Sequence, residues 1–299
     1  MRKDGAWQLA HVVLPTPSHT AAYKGHLVKV VKIFIGVAII LGLVLLAVIF
    51  KAQRSLLYHP SHFYVPLTEA HANRAFHEVA VGTQDGIALK AWYAPATTGP
   101  FTIVFFHGNA DSLYTASHNA DPFISAGYGF LVSEYRGYSG LPGTPTENGL
   151  YADGRAYLRY LIAQGVRENR IIVFGHSLGT GVAIEMANEF HVAGVMLAAP
   201  YLSMPKLARV HFPFFPSFLV LDRFENEQKV KNMHAPLLIV NGFDDNIIPP
   251  EQGRKLFSLA NEPREFHSLP DRGHNDLFND FVPLSLDWMS RISIQKPGS

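Results

Sequence analysis

What most limits the folds open to this 299-residue chain is a local pattern running from Phe76 to Ile292. Short, continuous apolar runs alternate there with longer stretches of helical spacing. The runs are Phe101–Phe106, Tyr128–Ser133, Arg170–Phe174, Val192–Ala198, Pro236–Val240 and Glu265–Leu269. Strands that are apolar on both faces suit the interior of a parallel sheet covered by helices on each side. Between them, Leu150–Gln164 sets Leu150, Ala156, Tyr157, Tyr160 and Leu161 on one face. Leu178–Phe190, Gln252–Ala260 and Asp276–Ile292 have similar spacing. The alternation predicts an α/β fold, a doubly wound and mostly parallel sheet built of right-handed βαβ units. Ahead of it, Phe76–Val81 and Ile87–Tyr93 flank Thr83-Gln84-Asp85-Gly86 and read as a hairpin.

A second pattern stands apart. Ile33–Phe50 is 18 apolar residues without a charge. As a helix it would be about 27 Å long, close to the hydrocarbon thickness of a bilayer. A cleaved signal peptide would have a shorter apolar region, and no small-x-small site follows before Lys51. The expected organisation is an N-terminal tail over 1–27 with little order, a single transmembrane anchor over 28–52, and one catalytic-sized domain over 53–299. Arg2, Lys3, Lys24, Lys29 and Lys32 precede the span, and Lys51 and Arg54 follow it. The positive-inside bias then favours a cytoplasmic N-terminus with the domain on the far side.

Composition removes several function classes. A formal charge of +1 gives no footprint for nucleic acid. With no cysteine, disulfides, thiolate catalysis and Cys-ligated metals are excluded. The 15 histidines include no paired His-Glu-x-x-His spacing, so neither a metal nor a cofactor is expected.

The chemistry points to Gly175-His176-Ser177-Leu178-Gly179. Alone, Gly-x-Ser-x-Gly is a weak signal; here it joins a strand, Arg170–Phe174, to a helix starting at Leu178. That placement makes Ser177 a candidate nucleophile on a sharp turn at a helix N-terminus, where free N–H groups can stabilise an oxyanion. A serine hydroxyl needs a base, and the base needs an orienting acid. Both follow in the required chain order. Strand Pro236–Val240 leads into Asn241-Gly-Phe-Asp244-Asp245, and Glu265–Leu269 leads into Pro270-Asp-Arg-Gly-His274. His274 is the expected base; spacing alone leaves Asp244 and Asp245 open as the acid. The expected oxyanion donors are the backbone N–H groups of Leu178 and of Asn109, in Phe106-His-Gly-Asn109-Ala110 after the third strand.

These motifs resemble those of the α/β-hydrolase superfamily, and most closely its membrane-anchored α/β-hydrolase-domain branch of lysophospholipases, monoacylglycerol-type lipases and protein depalmitoylases. The resemblance covers about residues 53–290. It also takes in Gln53-Arg54-Ser-Leu-Leu-Tyr58-His-Pro60, Glu134-Tyr-Arg-Gly-Tyr138, Gly143-Thr-Pro-Thr-Glu147 and Gly273-His274-Asn275-Asp276. It implies the α/β-hydrolase fold with a short cap, here about 201–235. In that family the acid lies three positions after the Gly of a His-Gly pair, which implies Asp245. Asn241 stands where the family often has His, and Thr180 where a further Gly is common.

The cap contains His211-Phe212-Pro-Phe214-Phe215-Pro-Ser-Phe218-Leu-Val-Leu221. Phe212, Phe214, Phe215 and Phe218 are candidate substrate-binding residues. They would line an acyl pocket or touch the membrane surface; alternatively, they pack a short helix on the core. The expected activity is hydrolysis of carboxylic esters or thioesters of lipid or acylated substrates, with the bilayer as partner. A peptidase or amidase with the same triad, and a non-catalytic tethered binding protein, are the alternatives.

Overall fold

The structure is a computed structural model that describes residues 17–70 and 72–294. The chain divides into two compact units, Met1–Lys51 and Ala52–Ser299. The first is carried by helix α1, Pro17–Leu57, whose last residues belong to the second unit. Helix α1 begins eleven residues ahead of the expected anchor, so residues 17–27 are helical rather than an irregular tail; residues 1–16 lie outside the described residues. The stretch Tyr23–Leu57 is long and apolar enough to cross a membrane, and none of its most apolar window is buried. Ile33, Phe34, Ile40 and Leu41 are all exposed.

The second unit is built on eight strands in the order β1-β2-β4-β3-β5-β6-β7-β8. Strands β1 (His77–Gly82) and β2 (Ala88–Ala94) form the expected hairpin, and β2 pairs antiparallel with β4 (Gly129–Ser133). All remaining pairs are parallel: β3 (Thr102–Phe106), β5 (Ile171–His176), β6 (Gly194–Ala198), β7 (Leu237–Gly242) and β8 (Arg264–Leu269). Helices in chain order are α2 (Leu113–Ser117), α3 (Asp121–Ser125), α4 (Glu147–Ala163), α5 (Gly179–Glu189), α6 (Met204–His211), α7 (Asn226–Lys229), α8 (Pro250–Leu259) and α9 (Phe278–Ile294).

The strands sort their side chains by the two-residue period of β structure. In β3, Val104 and Phe106 enter one core with Leu150, Tyr157 and Leu161 of α4 and Val182, Ala183 and Met186 of α5. Ile103 and Phe105 enter the other, with Leu113 and Phe123 of α2 and α3 and Phe281 and Met289 of α9. Strand β5 divides likewise, Ile171 and Val173 against Ile172 and Phe174. Because both faces are buried, every residue of β3 and β5 is apolar or small up to the strand ends. This central rigidity fixes where the C-terminal ends of β3, β5, β7 and β8 deliver their loops.

Candidate active site

Asn109, Ser177, Leu178, Asp245 and His274 each follow the C-terminal end of a parallel strand, where open α/β sheets bind ligands. Ser177 follows β5 directly and has φ +50°, a left-handed conformation that costs a non-glycine residue of the order of 1–3 kcal/mol. Its N–H donates to Ala198 O at 3.0 Å, and its own carbonyl accepts from Thr180 N and Thr180 Oγ1. The flanking glycines exist for space. A Cβ on Gly175 would lie 2.5 Å from Gly179 O, and one on Gly179 would lie 2.0 Å from Phe106 O. The turn therefore closes tightly against the end of β3, and Thr180 fits where the family often has glycine.

Three side chains form one hydrogen-bonded chain. His274 Nε2 meets Ser177 Oγ at 2.9 Å, and His274 Nδ1 meets Asp245 Oδ2 at 2.7 Å. The other Asp245 oxygen accepts from Ile247 N and Ile248 N at 2.9 and 2.8 Å. Asp245 and His274 are buried, whereas Ser177 is half-buried and so within reach of solvent. Asp244 is exposed, and among the described residues only its backbone N–H is tied, to Arg272 O. Neighbouring loop side chains diverge, which separates the two carboxylates.

His176 lies beside this chain but outside it. Its ring is buried, with Nε2 3.3 Å from the His274 carbonyl. Burial, and then the proximity of His274, push its pKa down to about 4, so its ring is neutral near pH 7. Asn241 is fully buried at the end of β7, and neither atom of its side-chain amide has a partner among the described residues.

The loop after β3 carries a network that the sequence did not reveal. His107 and Glu134 are both fully buried, with His107 Nε2 2.8 Å from Glu134 Oε1. His107 Nδ1 lies 2.8 Å from Gly108 O. Both ring nitrogens thus face acceptors, which a doubly protonated imidazolium satisfies. Burial opposes that charge, but the Glu134 carboxylate and its hydrogen bond outweigh it and hold the His107 pKa above the ordinary histidine value. Glu134 also accepts from Ser139 Oγ at 2.5 Å, Leu113 N and Tyr135 N, and Tyr135 OH donates to His107 O.

The consequence falls on Asn109. In a trans peptide the carbonyl and N–H point in opposite directions. Holding Gly108 O on the His107 ring therefore turns the Asn109 N–H away from it. Neither Asn109 N–H nor Leu178 N–H donates to a protein group among the described residues. The Asn109 side chain is fully occupied: Nδ2 donates to Leu57 O at 2.5 Å, while Oδ1 accepts from His59 N and Tyr138 OH at 2.8 Å each. His107 and Glu134 lie in motifs that carry the family resemblance, but 27 residues separate them, so only the fold pairs them.

Phe212, Phe214 and Phe218 are exposed and Phe215 is half-buried, so the cap aromatics do not pack a helix onto the core. A hollow of about 400 Å³ lined by Val81, Thr83, Arg155, Arg159 and Tyr160 lies against β1 and α4 and includes none of the residues around Ser177. No cluster of three or more potential metal-ligating residues occurs among the described residues.

Comparison with known proteins agrees with this architecture. A family profile described as serine aminopeptidase, S33, matches residues 101–223. Rv2307c, an uncharacterised protein of Mycobacterium tuberculosis, is 36% identical over 232 residues, spanning 76% of this chain and 82% of that protein. The lysophosphatidylserine lipase ABHD12 of Macaca fascicularis is 29% identical over 262 residues, 79% of this chain and 63% of the lipase. Among solved structures, the Pyrococcus furiosus esterase Pf2001 matches with a TM-score of 0.59 at 17% identity, over 79% of this chain and 96% of the esterase. At that identity the likeness speaks to the fold.

Proposed function

The chain belongs to the α/β-hydrolase superfamily, and from that membership we propose that it is a membrane-anchored serine hydrolase cleaving carboxylic ester or thioester bonds of lipid or acylated substrates. The observation that carries this reading is the hydrogen-bonded run from Ser177 Oγ through His274 to Asp245, on a serine held at φ +50°. His274 takes the Ser177 proton as Oγ attacks the carbonyl carbon, and Asp245 holds the imidazole tautomer and stabilises its cation. The N–H groups of Asn109 and Leu178 receive the oxyanion. His274 then protonates the departing alcohol or thiol, leaving an acyl-enzyme, and activates a water that releases the acid and restores Ser177.

Lipid-like substrates are favoured by the apolar helix α1 and by the exposed aromatics of the cap. The lipase among the relatives points the same way. Helix α1 acts as the anchor, with a cytoplasmic N-terminus and the hydrolase domain on the opposite side. Because the chain has no cysteine, a single engineered one at an exposed site such as Lys255 and a membrane-impermeant maleimide test that sidedness.

The deciding experiment is labelling of the purified protein with a fluorophosphonate. Labelling of the wild type that vanishes in Ser177→Ala is expected; a folded wild type that takes no label would leave only a tethered binding protein. One observation favours a second reading, since the matching profile is described as an aminopeptidase. Aminoacyl amides assayed beside p-nitrophenyl esters of graded chain length separate the two, and faster turnover of the esters is expected.

A further inference from the structure

Between Val210 and Leu221 the cap has 12 residues with no Lys, Arg, Asp or Glu. The structure leaves most of that apolar surface in the open: Phe214 is 97% exposed, Phe218 78%, Phe212 59%, Val210 51% and Leu221 44%. Single exposed apolar residues are ordinary, but five within one short segment form a patch of the kind that marks an interaction surface. Pro213 and Pro216 remove two backbone donors from the same stretch, which lowers the cost of placing it in a poorly hydrated layer.

How this segment is attached identifies what covers it. Gln53 lies three residues beyond Phe50, the last residue of the apolar run in α1. Its amide clasps the cap backbone, with Nε2 donating to Leu219 O at 3.3 Å and Oε1 accepting from Leu221 N at 2.8 Å. Arg54 follows with Nε 2.9 Å and Nη2 3.4 Å from the two oxygens of Asp222, a buried carboxylate that also accepts from Glu147 N. Three residues of chain span at most about 11 Å even when fully extended. The backbone at 219–221 is thereby leashed to the point where the apolar run ends. Exposed Arg209 immediately precedes the patch in sequence, and exposed Lys51 and Arg54 follow the apolar run of α1, as cations do at a headgroup layer.

We propose that residues 210–221 form a second membrane contact, in which Val210, Phe212, Phe214, Phe218 and Leu221 insert into the interface of the bilayer that α1 crosses. This rests on reading α1 as a membrane anchor. At its other end the segment is pinned beside the acid loop, where His211 Nε2 lies 2.8 Å from Ile247 O, two residues after Asp245. The cap thus links the lipid surface to the rim of the site. The substrate class that fits is an amphiphilic ester already partitioned into the membrane, drawn from the interface.

The test uses the full chain in phospholipid nanodiscs containing phosphatidylglycerol. With no native cysteine, nitroxide labels go singly on Phe214→Cys, Phe218→Cys, Leu43→Cys within the apolar run and Lys255→Cys on exposed α8. Collision rates with oxygen, which partitions into lipid, are compared with those of a polar nickel chelate. Labels at 214 and 218 are expected to show an oxygen-to-nickel ratio several-fold above that at 255 and of the same sense as that at 43. If 43 reports lipid while 214 and 218 match 255, the cap contact is overturned and the anchor stands. If 43 itself reports water, the anchor reading falls and takes the cap contact with it. Labels at 214 and 218 shielded from both reagents would mean that a second copy or a protein partner covers the patch, which also overturns the proposal.

Discussion

Two histidines that never touch the reacting atoms set opposite demands on the protein's protonation. For His176 the folded pKa of about 4 lies below the ordinary value of 6.5. Between those values the unfolded chain holds a proton that the native ring refuses, so stability is full above pH 6.5 and is lost as pH falls towards 4. A shift of that size corresponds to about 3 kcal/mol at full extent. Thermal melts from pH 7 to pH 4 should therefore show a falling limb that is shallower in His176→Gln than in the wild type. For His107 the folded pKa is raised, so its contribution is present below the unfolded value and declines as pH rises through the folded one. Its partner Glu134 offers a sharper test. Glu134→Gln keeps the shape but removes the counter-ion; with the amide oxygen held in place by Tyr135 N–H, a neutral His107 has one proton to share between that oxygen and Gly108 O, and its hold on Gly108 O weakens. The kcat on a soluble p-nitrophenyl ester should fall on the order of 10- to 100-fold with KM little changed, short of the loss expected on deleting an oxyanion donor outright. A raised KM with kcat intact would contradict this role.

Among the elements, the central strands carry the architecture, because each lends alternate side chains to the two cores. Phe174 on β5 stacks on Phe105 at 4.3 Å and on Phe281 at 4.6 Å between ring centroids. Phe174→Ala should cost about 3–5 kcal/mol, read as a lower urea midpoint at unchanged slope. The strands were legible because burial on two faces forces continuous apolar runs, and each expected run matches an observed strand within one or two residues at most ends. Strand β5 continues to His176 because Gly175 and His176 pair with Leu197 and Ala198, a register that no hydrophobic pattern encodes. Helices α2 and α3 escaped notice since five residues each are too few for a period to show. Helix α4 begins at Glu147 under a Thr146 cap, ahead of its first apolar residue. At the site, chain order led to Ser177 and His274, while Asp245 over Asp244 needed family spacing. The buried His107–Glu134 pair needed the fold itself, because strands β3 and β4 meet only in the sheet.

For the whole molecule, the division at Lys51 and Ala52 separates an apolar helix from a unit that holds both cores and every residue around Ser177. A chain beginning at Ala52 keeps Gln53, Arg54 and their partners, and should melt cooperatively and hydrolyse a soluble short-chain ester at close to the full-length rate. On the same ester embedded in vesicles its rate should fall, and a flotation assay should find it released from lipid. Length is not equally negotiable along α1. In the proposed mechanism Asn109 offers its N–H to the oxyanion, and its side chain grips Leu57 O and the His59 backbone. One residue added ahead of Lys51 extends the apolar helix and leaves that grip alone. The same residue added between Gln53 and Leu57 turns every later carbonyl by about 100° and advances it about 1.5 Å, so that either the clasp on the cap or the hold on Asn109 must let go. Alanine insertion scanning with fluorophosphonate readout should therefore find a sharp border near residue 52. Insertions and deletions are tolerated on one side of it, and on the other the helix is gauged to the residue.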